Sequence, residues 1–273
     1  MENRLSEFIA DPARPDTFDA AGAGRAIAAD GAVVVRRLID AGTVAALKGA
    51  LVNALAEDAA RRGPTYLFKG MVHALMSRGQ PFLDLLSNPL ILAQCRAVLG
   101  HGCIVHAYNS SSMPPQLSNY SRSIHVDCPR LIPGYTTNLG LTIALDAFTP
   151  LNGAMEIAPG LRPMATAPDE QTFVANRLTL DHLAAGDCVV FDARCWHRGG
   201  VNQTAEWRHA VTLNVCRSYM RQQFDFPRLL GEEVWSQCPE TARQFLGCFV
   251  RMPSSMDEFL LPADKRLYKP GQE

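Results

Sequence analysis

From about residue 103 the chain breaks into short apolar, β-branched segments, at 104–108, 140–147, 154–158, 187–191 and 210–217, parted by Pro, Gly and Asn turns. Runs of this length, bounded by turn signals, read as strands. A parallel sheet would need a crossover of a dozen or more residues, usually helical, between successive strands. No alternating helical pattern is present, so the middle of the chain predicts an all-β barrel or sandwich.

The first hundred residues read as helical. Over 43–62, Val44, Leu47, Leu51 and Leu55 recur every three or four positions, one apolar stripe that Gly63-Pro64 ends. A second helix is predicted over 89–99. Asn88 caps it, Pro89 sits where its missing N–H costs nothing, and Gly100 closes it. The β-branched run 31–38 suggests a strand at a sheet edge or leading into the helical layer. Segment 66–76 is apolar enough for a lid or a piece of core. From residue 222 the sequence turns mixed and aromatic-polar, a helical or irregular C-terminal extension. Gly22-Ala23-Gly24-Arg25-Ala26-Ile27 superficially matches a dinucleotide loop, but Ile27 stands at the third Gly/Ala position and no strand is expected before it.

Composition narrows the partners. With 273 residues, 47% of them hydrophobic, the chain can bury one large core or two modest ones. Its 26 Lys+Arg balance 27 Asp+Glu and no long run of like charge occurs, which excludes a nucleic-acid face or an anionic-membrane patch. A small molecule is the expected partner. The longest apolar runs fall far short of the ~20 residues that span a bilayer. Acids stand near the N-terminus where a signal peptide wants basic residues, so the cytoplasm is the expected compartment. The eight cysteines lack any Cys-x-x-Cys pair and read as reduced thiols. The Asn-x-Ser/Thr matches at Asn109 and Asn202 are then chance matches.

Two stretches carry chemistry. In the run from Ser123 to Asp127, Ile124 and Val126 alternate as in a strand, which would put His125 and Asp127 on one face. A structural hydrogen-bonded pair would look the same, and two ligands leave a metal site short of a third. The strand at 187–191 leads into a turn that presents His197, and Arg208 follows eleven positions later, opening the last apolar strand. In a rolled antiparallel sheet the strands either side of that connection can be neighbours. Two imidazoles and one carboxylate on one face of an iron leave the opposite positions open, and Arg208 can then grip the distal carboxylate of a 2-oxo acid.

His125-x-Asp127, His197 and Arg208, in that order, resemble the iron- and 2-oxoglutarate-dependent dioxygenases of the phytanoyl-CoA dioxygenase type. The resemblance takes in Asp30-Gly31-Ala32-Val33-Val34-Val35, the 90–100 helix, Thr142-Ile143-Ala144-Leu145-Asp146, Asn152-Gly153-Ala154-Met155 and Pro159-Gly160. It covers roughly residues 30–221. It implies a double-stranded β-helix (jelly roll, cupin-like) core, mainly β with flanking helices. The whole of 1–273 is then one domain: a helical part to about 100, a core over about 103–221 and an extension over 222–273.

By the same resemblance, His125, Asp127 and His197 hold Fe(II). Arg208, Asn138 and Thr142 contact 2-oxoglutarate, and O2 is the second cosubstrate. Oxidation of a substrate C–H bond, most simply hydroxylation, is coupled to release of succinate and CO2. Asp127 keeps the carboxylate that related halogenases replace. Where the family usually has a small polar residue and His after Pro-Gly, this chain has Leu161-Arg162, which bears on substrate choice. Arg130, Arg162 and Trp196 are the expected substrate contacts, although a solvated face or a packed aromatic would account for each equally. The rival reading is a non-catalytic or differently metallated cupin-like ligand-binding protein, which has no use for Arg208. A serine hydrolase would need a Gly-x-Ser-x-Gly elbow, which is missing.

Overall fold

The computed structural model describes residues 4–63 and 70–272. Its strands are β1 (Ser6–Ile9), β2 (Ala32–Arg36), β3 (Ile104–Ser110), β4 (Asn138–Ala144), β5 (Met155–Ala158), β6 (Leu178–Thr179), β7 (Cys188–Asp192), β8 (Trp196–Gly199) and β9 (Ala210–Cys216). They form a large sheet in the order β1-β2-β7-β4-β9-β3 and a small one in the order β6-β5-β8, the two sheets of a jelly roll. β1 and β2 run parallel and the other paired strands antiparallel.

Period-two alternation decides what each strand residue does. Val33, Val35, Leu141, Val190 and Leu213 leave one face of the large sheet and join helix residues in a single apolar cluster. Ala32, Val34, Val189 and Phe191 leave the other face and pack with Met155 and Ile157 of the small sheet. At β2 and β7 both faces are therefore dry, which is why these two strands read as unbroken apolar runs. Each fully buried Val or Leu contributes about 1.5–3 kcal/mol.

The helices on the outer face are α1 (Ala20–Asp30), α2 (Ala41–Arg62), α3 (Gln80–Leu85) and α4 (Pro89–Leu99). Each of the three longer ones has a side-chain cap. Asp19 accepts from Gly22 N, Asp40 from Thr43 N, and Asn88 from both Leu90 N and Ile91 N. The carboxylate of Asp19 thus takes the place at the α1 N-terminus that a dinucleotide phosphate would need. α2 buries Leu47 and Leu51, and its Asp58 is paired with Arg78 at 2.9 Å. Helix α5 (Glu170–Asn176) lies between β5 and β6, where an unbroken β pattern was expected. The C-terminal extension holds short helices α6 (Phe226–Leu230), α7 (Glu232–Trp235), α8 (Glu240–Leu246) and α9 (Met256–Phe259).

β2 is not an edge strand. β1, which leaves no clear mark in the sequence, pairs along it, and Arg36 clasps Glu7 at 2.5 Å and Asp187 at 2.7 Å. Of segment 66–76, residues 66–69 lie outside the described residues, and Val72, Leu75 and Met76 are buried in the core. Among the described residues no helix is long and apolar enough to cross a membrane.

The double acceptance by Asn88 makes a test of the α4 cap. Asn88→Ala is expected to cost about 1 kcal/mol and lower Tm by roughly 2–4 °C, with Asn88→Asp close to wild type. Thermal unfolding followed by circular dichroism reads this out.

Candidate metal centre

The stretch from Ser123 to Asp127 was expected to be a strand; it makes a single bridge. His125 N donates to His197 O at 3.0 Å and His197 N donates back to His125 O at 2.9 Å. After that one pair, Asp127 N and Cys128 N both donate to Ala193 O, at 3.0 and 3.1 Å. Two donors converging on one carbonyl turn the chain out of ladder register, and Pro129 has no N–H with which to resume it. His197 lies on β8 itself, opposite Ile157 of β5, rather than in a turn.

The two imidazole rings lie 4.2 Å apart between centroids. His125 Nδ1 faces Ser123 O at 2.7 Å and His197 Nδ1 faces Cys195 O at 3.0 Å. A ring nitrogen facing a carbonyl carries the hydrogen, so both rings keep Nε2 bare. Each Nε2 stands 3.8 Å from Asp127 Oδ1, and the potential ligand atoms of the three side chains lie within 4.8 Å of one another. Burial pushes the His197 pKa down from the ordinary histidine value, against the pull of Asp127, favouring the uncharged ring that a metal needs. Phe191 meets that ring edge-on, centroids 4.9 Å apart. Two bare imidazole nitrogens and a carboxylate suit a divalent transition metal.

The cavity beside this cluster measures about 330 Å³ and is lined from both sheets, by Thr142, Thr212 and Asn214 on one side and Met155 and Gly199 on the other. Arg208 lines it too. It is 2% exposed, its guanidinium lies 4.2 Å over the Phe148 ring, and its terminal nitrogens donate to Ser111 O at 3.0 Å and Gly153 O at 2.7 Å. Arg208 Nε has no partner among the described residues. Burial pulls the guanidinium pKa down, only partly offset by the charge of Asp146. β7 and β9, the strands expected to be neighbours across the connection through His197 and Arg208, are separated in the large sheet by β4. β8 belongs to the small sheet and β9 to the large one, so the cavity lies between them.

Thr142 lines the cavity. Asn138 does not, but its Nδ2 donates to Oδ1 of the lining Asn214 at 3.1 Å. The expected substrate contacts lie elsewhere. Arg162 donates to Ile27 O and Ala29 O, spending its guanidinium on the carbonyls that end α1. Trp196 is buried with Ala158 and Phe173, its indole N–H on Met164 O. Arg130 is exposed and outside the cavity lining.

Three supporting residues escaped the reading of the sequence. Asn202 is fully buried. Its Oδ1 accepts from Thr204 N and Oγ1, and its Nδ2 donates to Met113 O and Glu206 O, which shapes the turn leading to Arg208. The Asn-Gln-Thr that resembled a glycosylation site is this turn, and an Asx turn was its available signal. Arg198, next to His197, is bound to Glu156 at 2.5 Å and to both carboxylate oxygens of Glu170 at 2.6 and 2.9 Å. Gly140 leaves room for Phe191, whose ring a Cβ there would meet at 2.3 Å.

A jelly roll with two histidines and an aspartate gathered beside a cavity that also holds a buried arginine has the architecture of a non-haem dioxygenase. The sequence matches the profile of phytanoyl-CoA dioxygenase (PhyH) over residues 27–210, and the chain belongs to that family. The uncharacterized protein Rv1501 of Mycobacterium tuberculosis is 33% identical over 208 residues, covering 74% of this chain and 76% of that one. The dioxygenase aneA of Aspergillus aculeatus is 25% identical over 166 residues, 57% of this chain and 55% of its own. Among solved structures, EctD from S. alaskensis with bound Fe superposes with a TM-score of 0.62 at 20% identity, covering 77% of this chain and 79% of that one. The α-ketoglutarate-dependent carbocyclase SnoK from nogalamycin biosynthesis gives 0.60 at 17%, covering 74% and 85%. Both share the fold.

The Gly140–Phe191 contact predicts a coupled effect. Gly140→Ala should cost about 1–3 kcal/mol of stability by overpacking and, by pressing Phe191 toward His197, weaken divalent-metal binding by roughly tenfold. Gly140→Ala combined with Phe191→Leu should recover most of both. Calorimetric metal titration and denaturant unfolding measure the two effects separately.

Proposed function

We propose that this protein is a non-haem iron(II)- and 2-oxoglutarate-dependent oxygenase that oxidises a C–H bond of a small organic molecule, most simply by hydroxylation. The observation that carries the reading is the pairing of three bare ligand atoms with a buried arginine that lacks a carboxylate in contact, both beside one cavity. His125, Asp127 and His197 would hold the iron. Iron(II) with 2-oxoglutarate and O2 supplies the oxidation of an unactivated C–H bond, leaving succinate and CO2.

This chain's own groups provide position and electrostatics. The carbonyls of Ser123 and Cys195 hold each imidazole with Nε2 toward the metal position. Arg208 offers an unspent Nε–H in a site with few competing charges, where a charge-assisted hydrogen bond to the far carboxylate of 2-oxoglutarate is strong. Thr142 supplies a hydroxyl on the same wall, while Asn138 stands outside the lining with its Nδ2 on Asn214. Phe148 backs the guanidinium and excludes water from it. A metal-binding protein that oxidises nothing has no need of Arg208, which favours the oxygenase. The eight free thiols suit a reducing, cytosolic setting.

Anaerobic addition of Fe(II) and 2-oxoglutarate should produce a weak visible charge-transfer band, and its absence would count against the assignment. His197→Ala should abolish the band and succinate release. Arg208→Ala should raise the 2-oxoglutarate requirement about 10- to 100-fold, the loss of a hydrogen bond to a charged group, while metal binding by equilibrium titration stays near wild type. An unchanged requirement would reassign Arg208.

A further inference from the structure

Resting on the oxygenase reading, we propose that the substrate is an uncharged, amphipathic molecule. Its hydroxyl or carbonyl groups are read by Asn214, Gln223 and His106, and its apolar body lies on an aromatic rim.

The first argument is a census of charge. Among the described residues lining the cavity, the acids and arginines are Asp127, Arg198 and Arg208. Asp127 belongs to the metal cluster and Arg208 to the cosubstrate. Arg198 is spent, its guanidinium bonded to Glu156 and in bidentate fashion to Glu170. A carboxylate, a phosphate or a coenzyme A ester entering this cavity would find no free cation, and burying an unpaired charge costs several kcal/mol. Arg130 and Arg162, the arginines expected to contact the substrate, do not line the cavity.

The second argument is what the wall leaves unspent. Asn214 Oδ1 accepts from Asn138, which fixes the amide and leaves Nδ2 without a partner among the described residues. Gln223 is tied to His106 through its main chain, N to O at 2.8 Å, and its side-chain amide has no protein partner there. His106 Nδ1 faces Arg221 O at 2.9 Å, so its Nε2 is the nitrogen left over. Asn214 stands opposite Ala107, the β3–β9 register shifts between Val105 and Ala107, and His106, Ala107, Asn214 and Gln223 all line the cavity. Donors and acceptors without net charge recognise hydroxyl and carbonyl groups.

The third argument is the mouth. Segment 128–136 follows Asp127 and segment 217–224 contains Gln223; they meet where the Tyr219 hydroxyl donates to the Tyr135 hydroxyl at 3.1 Å. Leu131, Ile132, Tyr219 and Phe224 are exposed on these two segments, and exposed Tyr120 lines the cavity itself. The two segments continue from the lining residues Asp127 and Gln223, and the large apolar side chains exposed on them offer a binding surface. Since about 330 Å³ must also admit the cosubstrate, only one end of a larger substrate enters and the rest lies on this rim.

The test uses the full-length protein with Fe(II) and 2-oxoglutarate under nitrogen, after the charge-transfer band has been recorded. Polycyclic hydrocarbon probes bearing one polar group are added in matched sets: a neutral alcohol or ketone, the corresponding carboxylate and the corresponding phosphate ester. Thermal melting of the anaerobic complex reports binding, and succinate release in air reports turnover. Neutral members should raise Tm by a few degrees and stimulate succinate release. Asn214→Leu and Gln223→Leu should each weaken neutral binding about tenfold. Tighter binding of the charged members, or no binding by any neutral member, overturns the proposal while the band leaves the oxygenase reading standing. A missing band overturns that reading instead, and the melting shifts still decide the substrate class.

Discussion

The reciprocal main-chain pair between His125 and His197 is the contact on which the site depends. It joins residues far apart in the chain with two backbone hydrogen bonds, and so sets two side chains facing each other with their rings 4.2 Å apart. Ala193 O then gathers Asp127 N and Cys128 N, which ends the pairing and swings the carboxylate to within 3.8 Å of both imidazoles. A longer ladder would have carried Asp127 along a strand. A ligand cluster needs the ladder to fail after one rung, and the converging hydrogen bonds make it fail there.

The two arginines that line the cavity are used in opposite ways. Arg198 is saturated by Glu156 and Glu170 and ties β8 to β5 and α5. Among the described residues Arg208 is buried without a carboxylate in contact and keeps an unsatisfied Nε. The first contributes to structure because its charge is cancelled; the second can recognise a ligand because its charge is not. A guanidinium so placed leaves part of its desolvation cost unmet until an anion arrives.

Much of this was legible in the sequence, for physical reasons that differ from element to element. Asn88, Pro89 and Gly100 act within a few residues of one another, and helix α4 begins and ends where they place it. β7 and β9 fall where the apolar runs predicted them, since strands buried on both faces need no pattern finer than that. His125, Asp127 and His197 meet in space, but by one bridge and a shared carbonyl rather than on a strand. The interior position of β2 was hidden because it depends on β1, four residues whose pairing is non-local. The role of Arg162 was hidden for a related reason: nothing near residue 162 announces that the open carbonyls of α1 lie against it. Asn202 and Arg198 act through partners distant in sequence or through backbone turn geometry, neither of which a motif displays.

The large sheet has a helical layer on one side and the cavity beside the metal-ligand cluster on the other, so consecutive residues of a strand answer to different demands. On β4, Leu139 and Ile143 face the helices, while Gly140 and Thr142 face the cavity. On β9, Val211 and Val215 do the former, Thr212 and Asn214 the latter. Redesign of the enzyme for new substrates thus comes with a built-in mask of period two. Varying Thr212 and Asn214 explores the pocket, Gly140 has to stay glycine to admit Phe191, and the helix-facing positions between them can be held fixed to preserve the scaffold.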